Sequence, residues 1–205
     1  FTDSVIRRMT RISEQYDAIN LSQGYPDFDP PRPLLDRLAQ VAYEGPHQYS
    51  VTYGAQNLRE ALADKHSRAT GRTVDPNAQV LVTCGGTEAM IFSPFYENYG
   101  ADAILSGAEP IYIPLVPPAF DFDRAALEDA FRQGAKAIIV CNPSNPTGKV
   151  FTREELEYIG ALAQRYDAYV ITDEVYEHIV FAPFHHVHMA VLPGIEDRTI
   201  TCSSL

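Results

Sequence analysis

Several short apolar runs in this sequence end in side chains whose types suit a flat, anionic, heteroaromatic ligand. The run AIIVC, residues 137–141, leads into NPSNPTG. Each proline there fixes a turn and holds the asparagine before it extended, so Asn145 can aim its side-chain amide at a ligand oxygen. The run AYVIT, residues 168–172, leads into DEVY. A carboxylate at Asp173, directly after nonpolar or weakly polar residues, is costly unless paired. It can salt-bridge a ring nitrogen and keep it protonated, with Tyr176 three residues on. The run VLVTC, residues 80–84, leads into GGTEAM, where Gly85 and Gly86 let the backbone come close to a ligand. Thr87 then opens a helix whose free N–H groups suit a phosphate. The run TITCS ends at Ser203 and Ser204, two small hydroxyls suited to the same anion. Each signal also has a plain structural reading: a glycine turn, a rigid double turn, an ordinary helix N-cap at Asp173, serines in a loop. What strengthens them is that all four fall at the same place relative to an apolar run.

That placement needs a frame. The runs are continuous rather than alternating, and helical stretches lie between them. This predicts a mostly parallel sheet covered on both faces, a three-layer α/β/α arrangement in which ligands bind beyond the carboxyl ends of the strands. PIYIPL is a further strand. TREELEYIGALAQRY predicts a helix starting at Arg153, with Thr152 and Glu155 as its capping box. DRAALEDAFRQG predicts one capped by Asp123 and stopped at Gly134. Upstream, SVIRRMTRISEQYDA, LLDRLAQVAYEG and NLREALADKHSRATG read as helices, the last closed by Gly71. VPPAFDFD reads as a rigid connection.

The bulk properties narrow the partners. The 205 residues are 45% hydrophobic and carry a net charge of −11. Such a surface repels phosphate backbones and anionic membranes, which argues against nucleic acid. No apolar run approaches the roughly 18 residues of a membrane span. Cys84, Cys141 and Cys202 are odd in number and widely spaced, so they form no disulfide framework, and a reducing cytoplasm fits best. All three sit near the end of an apolar run, which predicts neighbours along one edge of a sheet. His185, His186 and His188 lie in a proline-flanked stretch with no carboxylate or cysteine at ligand spacing, so a solvent-facing loop is expected and no metal.

A phosphate cradle, an acid for a ring nitrogen and an amide for a ring oxygen together describe pyridoxal 5'-phosphate, an electron sink made effective by a protonated pyridine nitrogen. NPSNPTG followed by TDEVY, with INLSQGYPDF, QYSVTYGAQNLREAL and SPFYENYG, resembles the class I aminotransferases of fold type I. The resemblance covers nearly the whole chain. It implies a reaction moving an amino group between an amino acid and a 2-oxo acid. It implies phosphate contacts from Gly85, Gly86, Thr87 and Ser204, ring stacking by Tyr96, ring-oxygen contacts from Asn145 and Tyr176, and the ring-nitrogen contact from Asp173. Gly24 matches the loop beside the substrate carboxylate. Tyr49 matches a tyrosine that reaches the partner subunit's phosphate, which implies a homodimer. Residues 1–45 would be an N-terminal arm with part of a small domain, and 46–205 the cofactor-binding large domain.

Two departures accompany the resemblance. The family's Schiff-base lysine lies three residues past the position of Ser204, while the sequence ends at Leu205, so turnover by this chain alone is not expected. Its lysines are Lys65, Lys136 and Lys149, and Lys149 is expected as a solvated surface ammonium. GGTEAM also runs straight into IFSPFY, where a parallel crossover needs a dozen or more residues, so a segment is expected to be missing between Met90 and Ile91. A lyase on the same scaffold, or a cofactor-binding regulatory domain, would use the same Asp173 and Asn145.

Overall fold

A computed structural model describes residues 5–22, 24, 26, 28–45, 51–82 and 90–204. Contacts divide the chain into two units, residues 1–49 and 50–205. The first contains α1 (Val5–Gln15) and α2 (Arg32–Val41). In the second, α3 (Gln56–Thr70) ends as expected at Gly71, which adopts the left-handed conformation and returns its N–H to the Ser67 carbonyl.

The rest of the second unit is built on β1 (Met90–Ser93), β2 (Tyr112–Val116), β3 (Asp121–Phe122), β4 (Ala137–Cys141), β5 (Tyr169–Asp173) and β6 (Thr199–Cys202), with α4 (Asn98–Leu105), α5 (Arg124–Arg132) and α6 (Arg153–Arg165) between them. The strands form one sheet in the order β3-β2-β1-β4-β5-β6, parallel throughout except for β3. Met90 and Ile91 are successive residues of β1, paired with Ile138 and Ile139.

Alternation along the strands fills two cores. Phe92, Ile138, Val140 and Val170 point to one face and meet Leu127, Phe131, Leu156, Ile159 and Leu162 of α5 and α6. Ile91, Ile139 and Cys141 point to the other and meet Tyr99 of α4. β4, and Ile91 and Phe92 of β1, are therefore buried on both faces, whereas β2 and β5 bury alternate residues and leave Tyr112, Val116 and Tyr169 exposed. On α6 the buried residues Leu156, Ile159, Gly160, Leu162 and Ala163 recur at helical spacing, and each large one contributes roughly 1.5–3 kcal/mol of apolar burial. The predicted caps are present. Thr152 Oγ1 accepts the Glu155 N–H and the Glu155 carboxylate accepts the Thr152 N–H. Asp123 Oδ1 accepts from Ala125 and Ala126.

Two expectations give way. VPPAFDFD is a hairpin rather than a plain connection: Asp121 and Phe122 pair antiparallel with Val116 and Leu115, because Phe122 buries its ring beside Phe92 and Phe151. Of the strand expected over residues 80–84, Val80 to Val82 lie outside the sheet, and the Val82 N–H goes instead to the Tyr53 carbonyl at 3.1 Å. Cys84 lies outside the described residues.

Candidate active site

Strand order reverses at β1: β2 lies on one side of it and β4 on the other. In an open parallel sheet this reversal opens a crevice at the carboxyl ends of the two diverging strands. β1 runs out toward Tyr96, β4 toward Asn145, and the neighbouring β5 ends at Asp173.

Asp173 is half-buried and held at both oxygens. Oδ1 accepts the Val175 N–H at 3.1 Å and Oδ2 accepts the Tyr99 hydroxyl at 2.6 Å. Each carboxylate oxygen has two lone pairs, so each retains one for a further donor. Tyr99 is buried on α4, and burial, with Cys141 and the Asp173 carboxylate adding to it, pushes its ionisation far above the ordinary tyrosine range. It is thus a fixed donor. Asp173 is paired in register with Cys141 on one side and Cys202 on the other. Cys141 and Cys202 share one rung at the sheet's mouth but are not neighbours, because the acid of β5 lies between them. Burial raises both thiols above their usual range.

The two asparagines after β4 divide the work of the loop. Asn142 is buried and ties the chain together: its Oδ1 accepts the Phe151 N–H at 3.0 Å and its Nδ2 donates to the Val187 carbonyl at 3.4 Å. Asn145 is only partly buried, and its Nδ2 donates to the Tyr176 hydroxyl at 3.4 Å. Amide and phenol therefore converge, as the motif suggested, and the second amide hydrogen and the phenolic hydrogen remain for a ligand oxygen. Tyr96 is half-buried just before α4, its ring edge-on to Tyr99 at 5.8 Å. A small cavity of about 10 Å³ lined by Tyr99, Cys141 and Asn145 has room for one water, so a cofactor would lie outside it, over the strand ends. Ser204 is exposed, two residues past β6. Gly24 is exposed in the first unit. Tyr49, Gly85, Gly86 and Thr87 lie outside the described residues.

Two surface assignments need correction. Lys149 is not solvated. Its side chain is 6% exposed, its Nζ pairs with Glu155 at 2.8 Å and Asp121 at 3.4 Å, and it lies over the Phe151 ring. Folding brings Asp121 to it from 28 residues earlier, which no local pattern announces, and Glu155 joins from the first turn of α6. His186 and His188 are not solvent-facing either, with side chains 8% and 19% exposed. Carboxylates absent from their own stretch reach them from the end of β5. Tyr99 was missed altogether, although its helical spacing of three from Tyr96 was a usable signal.

The described donors fit the cofactor named above: a carboxylate with spare lone pairs for a ring N–H, an amide and phenol pair for a ring oxygen, and an aromatic ring beside them. A mostly parallel sheet with this constellation at its carboxyl ends is an α/β fold whose described residues suit pyridoxal phosphate. The family model for aminotransferase class I and II matches residues 16–205, and the chain belongs to that family, which is pyridoxal-phosphate-dependent. It is 36% identical, over its whole length, to 56% of a probable N-succinyldiaminopimelate aminotransferase DapC of Mycobacterium tuberculosis. Against the methionine aminotransferase of Escherichia coli it is 33% identical, with 98% of this chain and 56% of the relative covered. The solved N-succinyldiaminopimelate aminotransferase of Mycobacterium tuberculosis superposes with a TM-score of 0.92 at 35% identity, covering all of this chain and 58% of that one. The chain spans a little over half the length of these relatives. No helix among the described residues is long and apolar enough to cross a membrane.

Proposed function

We propose that the protein containing this chain is an aminotransferase that moves an amino group between an amino acid and a 2-oxo acid. The observation that carries this is the position of Asp173 between Cys141 and Cys202, held by Tyr99 and Val175, with Asn145 and Tyr176 converging beside it. Bound pyridoxal phosphate supplies an electron sink for the amino acid's α-carbon. Asp173 holds the ring nitrogen's proton and so keeps the sink cationic. Asn145 and Tyr176 donate to the ring oxygen and fix the ring's rotation. Tyr96 covers one ring face. Gly85, Gly86, Thr87 and Ser204 anchor the phosphate, and Gly24 lies by the substrate carboxylate. Tyr49 reaches the other subunit's phosphate in a cytoplasmic homodimer. The net charge of −11 supports small-molecule substrates over nucleic acid.

The aligned relative supports the reading of an absent segment. That alignment spans 221 positions while this chain has 205 residues, so at least 16 positions lack a residue here. We place the absence between Met90 and Ile91; sequencing the transcript across that junction tests it, and an uninterrupted relative-length reading frame supports it.

For the activity, the intact protein is loaded with cofactor and its visible spectrum followed. An amino acid should bleach the band and a 2-oxo acid restore it. Ammonia release without an oxo-acid acceptor would instead indicate a lyase and overturn the proposal. Asp173→Asn should lower turnover by about 100-fold, the effect of roughly 3 kcal/mol for a cationic partner left unpaired.

A further inference from the structure

We propose that Glu174, His186 and His188, oriented by Glu177, form a binding site for a divalent transition-metal cation of the zinc type, separate from the cofactor residues. The three donor atoms form a tight triangle. His186 Nε2 lies 3.3 Å from His188 Nδ1, and Glu174 Oε2 lies 3.3 Å from the first and 2.6 Å from the second. Zinc–nitrogen bonds near 2.0–2.1 Å in a tetrahedral site put ligand atoms roughly 3.3 Å apart, so two edges already match and a small carboxylate rotation opens the third.

The triangle is built rather than accidental. Glu174 is buried, and its other oxygen, Oε1, is taken by the Thr172 hydroxyl at 3.2 Å and the Met189 N–H at 3.0 Å. That leaves Oε2 for the imidazoles. Behind His188, its Nε2 lies 3.7 Å from Glu177 Oε2, the carboxylate–histidine pairing that orients metal ligands. Glu177 Oε1 is in turn fixed by Lys65 at 2.7 Å. Counting Glu177, four residues bring a donor atom within 4.8 Å of one another.

Proton bookkeeping favours a cation at the centre. With neutral rings that both donate to Glu174, two N–H groups confront each other at 3.3 Å. Each ring then keeps a bare nitrogen: His186 Nδ1, buried without a partner, and His188 Nε2, facing the Glu177 carboxylate. If either proton moves to the far side of its ring, a nitrogen lone pair meets the Glu174 oxygen instead. A cation accepts all three lone pairs together and moves the ring protons to His186 Nδ1 and to His188 Nε2, the latter 3.7 Å from the Glu177 carboxylate. Two imidazoles and one carboxylate select a zinc-type ion over calcium or magnesium, which prefer oxygen donors throughout. With Lys65 balancing Glu177, the single carboxylate of the triangle leaves the loaded site a net positive charge of about one.

Tag-free protein, stripped with a chelator and dialysed, is titrated with Co²⁺ and then Zn²⁺. One equivalent of Co²⁺ should bind with the strong visible absorption of a four-coordinate nitrogen and oxygen site, and Zn²⁺ should displace it. His188→Gln should weaken Zn²⁺ binding by about 100-fold or more and Glu177→Gln by about 10–100-fold, while His185→Gln, at an exposed neighbour, should change nothing. Absence of stoichiometric binding overturns the proposal, as does affinity unchanged in His188→Gln or equally reduced in His185→Gln. If His188→Gln fails to fold, Glu177→Gln carries the same test, and unchanged affinity there overturns it. Metal binding is read without turnover, so its outcome is independent of the aminotransferase reading.

Discussion

Tyr99 and Asp173 should be energetically coupled, and the coupling is measurable without cofactor. At 2.6 Å their contact has the length of a charge-assisted O–H···O⁻ bond, and Tyr99 is 4% exposed. Hydrogen bonds to charged groups contribute about 1.5–3 kcal/mol net. Tyr99→Phe keeps the ring in its apolar surroundings and removes only the donor, so it should cost about 2 kcal/mol. Asp173→Ala removes the acceptor and leaves the buried hydroxyl only the weakly accepting Cys141 sulfur. Urea unfolding of the two single variants, the double variant and the parent at pH 7 closes a cycle, with an expected interaction energy of about 1.5–3 kcal/mol. The same cycle between Tyr96→Phe and Asp173→Ala should give less than about 0.5 kcal/mol, because the Tyr96 hydroxyl meets Asn98 instead. A Tyr99–Asp173 coupling as small as that control would refute the claim that Tyr99 holds the acid in place.

Three other outcomes follow from the structure. Lys149→Met should destabilise by about 3 kcal/mol in denaturant melts, since it strands a mostly buried Glu155, while the double variant Lys149→Met with Glu155→Gln, which leaves no unpaired charge, should cost much less. Thr152→Ala should cost about 1 kcal/mol, seen as a fall of a few degrees in Tm, because the capping box loses its hydroxyl acceptor. Alkylation of Cys141, followed by mass spectrometry at pH 8, should run about tenfold or more slower in the folded protein than in urea. Burial raises that thiol, so less of it is thiolate at a given pH, and the difference should narrow as pH rises.

How much of this was legible depended on how local each cause is. The capping box needs residues three apart, so Thr152 and Glu155 announce it in sequence. Asp173 closing an apolar run was legible because a parallel sheet presents its strand ends at one mouth, and the cysteines ending the strands on either side of it fell in the same register. Asn145 was legible because proline restricts its backbone. What stayed hidden depends on contacts across the fold. Glu174 meets histidines 12 and 14 residues later, and Lys149 meets Asp121 from 28 residues earlier. Of the strand expected from Val80, the described residues Val80 to Val82 lie outside the sheet for a related reason: Val82 gives its N–H to the Tyr53 carbonyl, 29 residues earlier.

The acid at the end of β5 has an uncharged thiol on either side of it in the sheet. Burial keeps both sulfurs protonated, so neither sets a second anion on the next strand, roughly 5 Å away along the ladder. A cation held by the acid therefore meets a single negative charge on this rung, and the low thiolate fraction of the flanking sulfurs slows the oxidation that would add another.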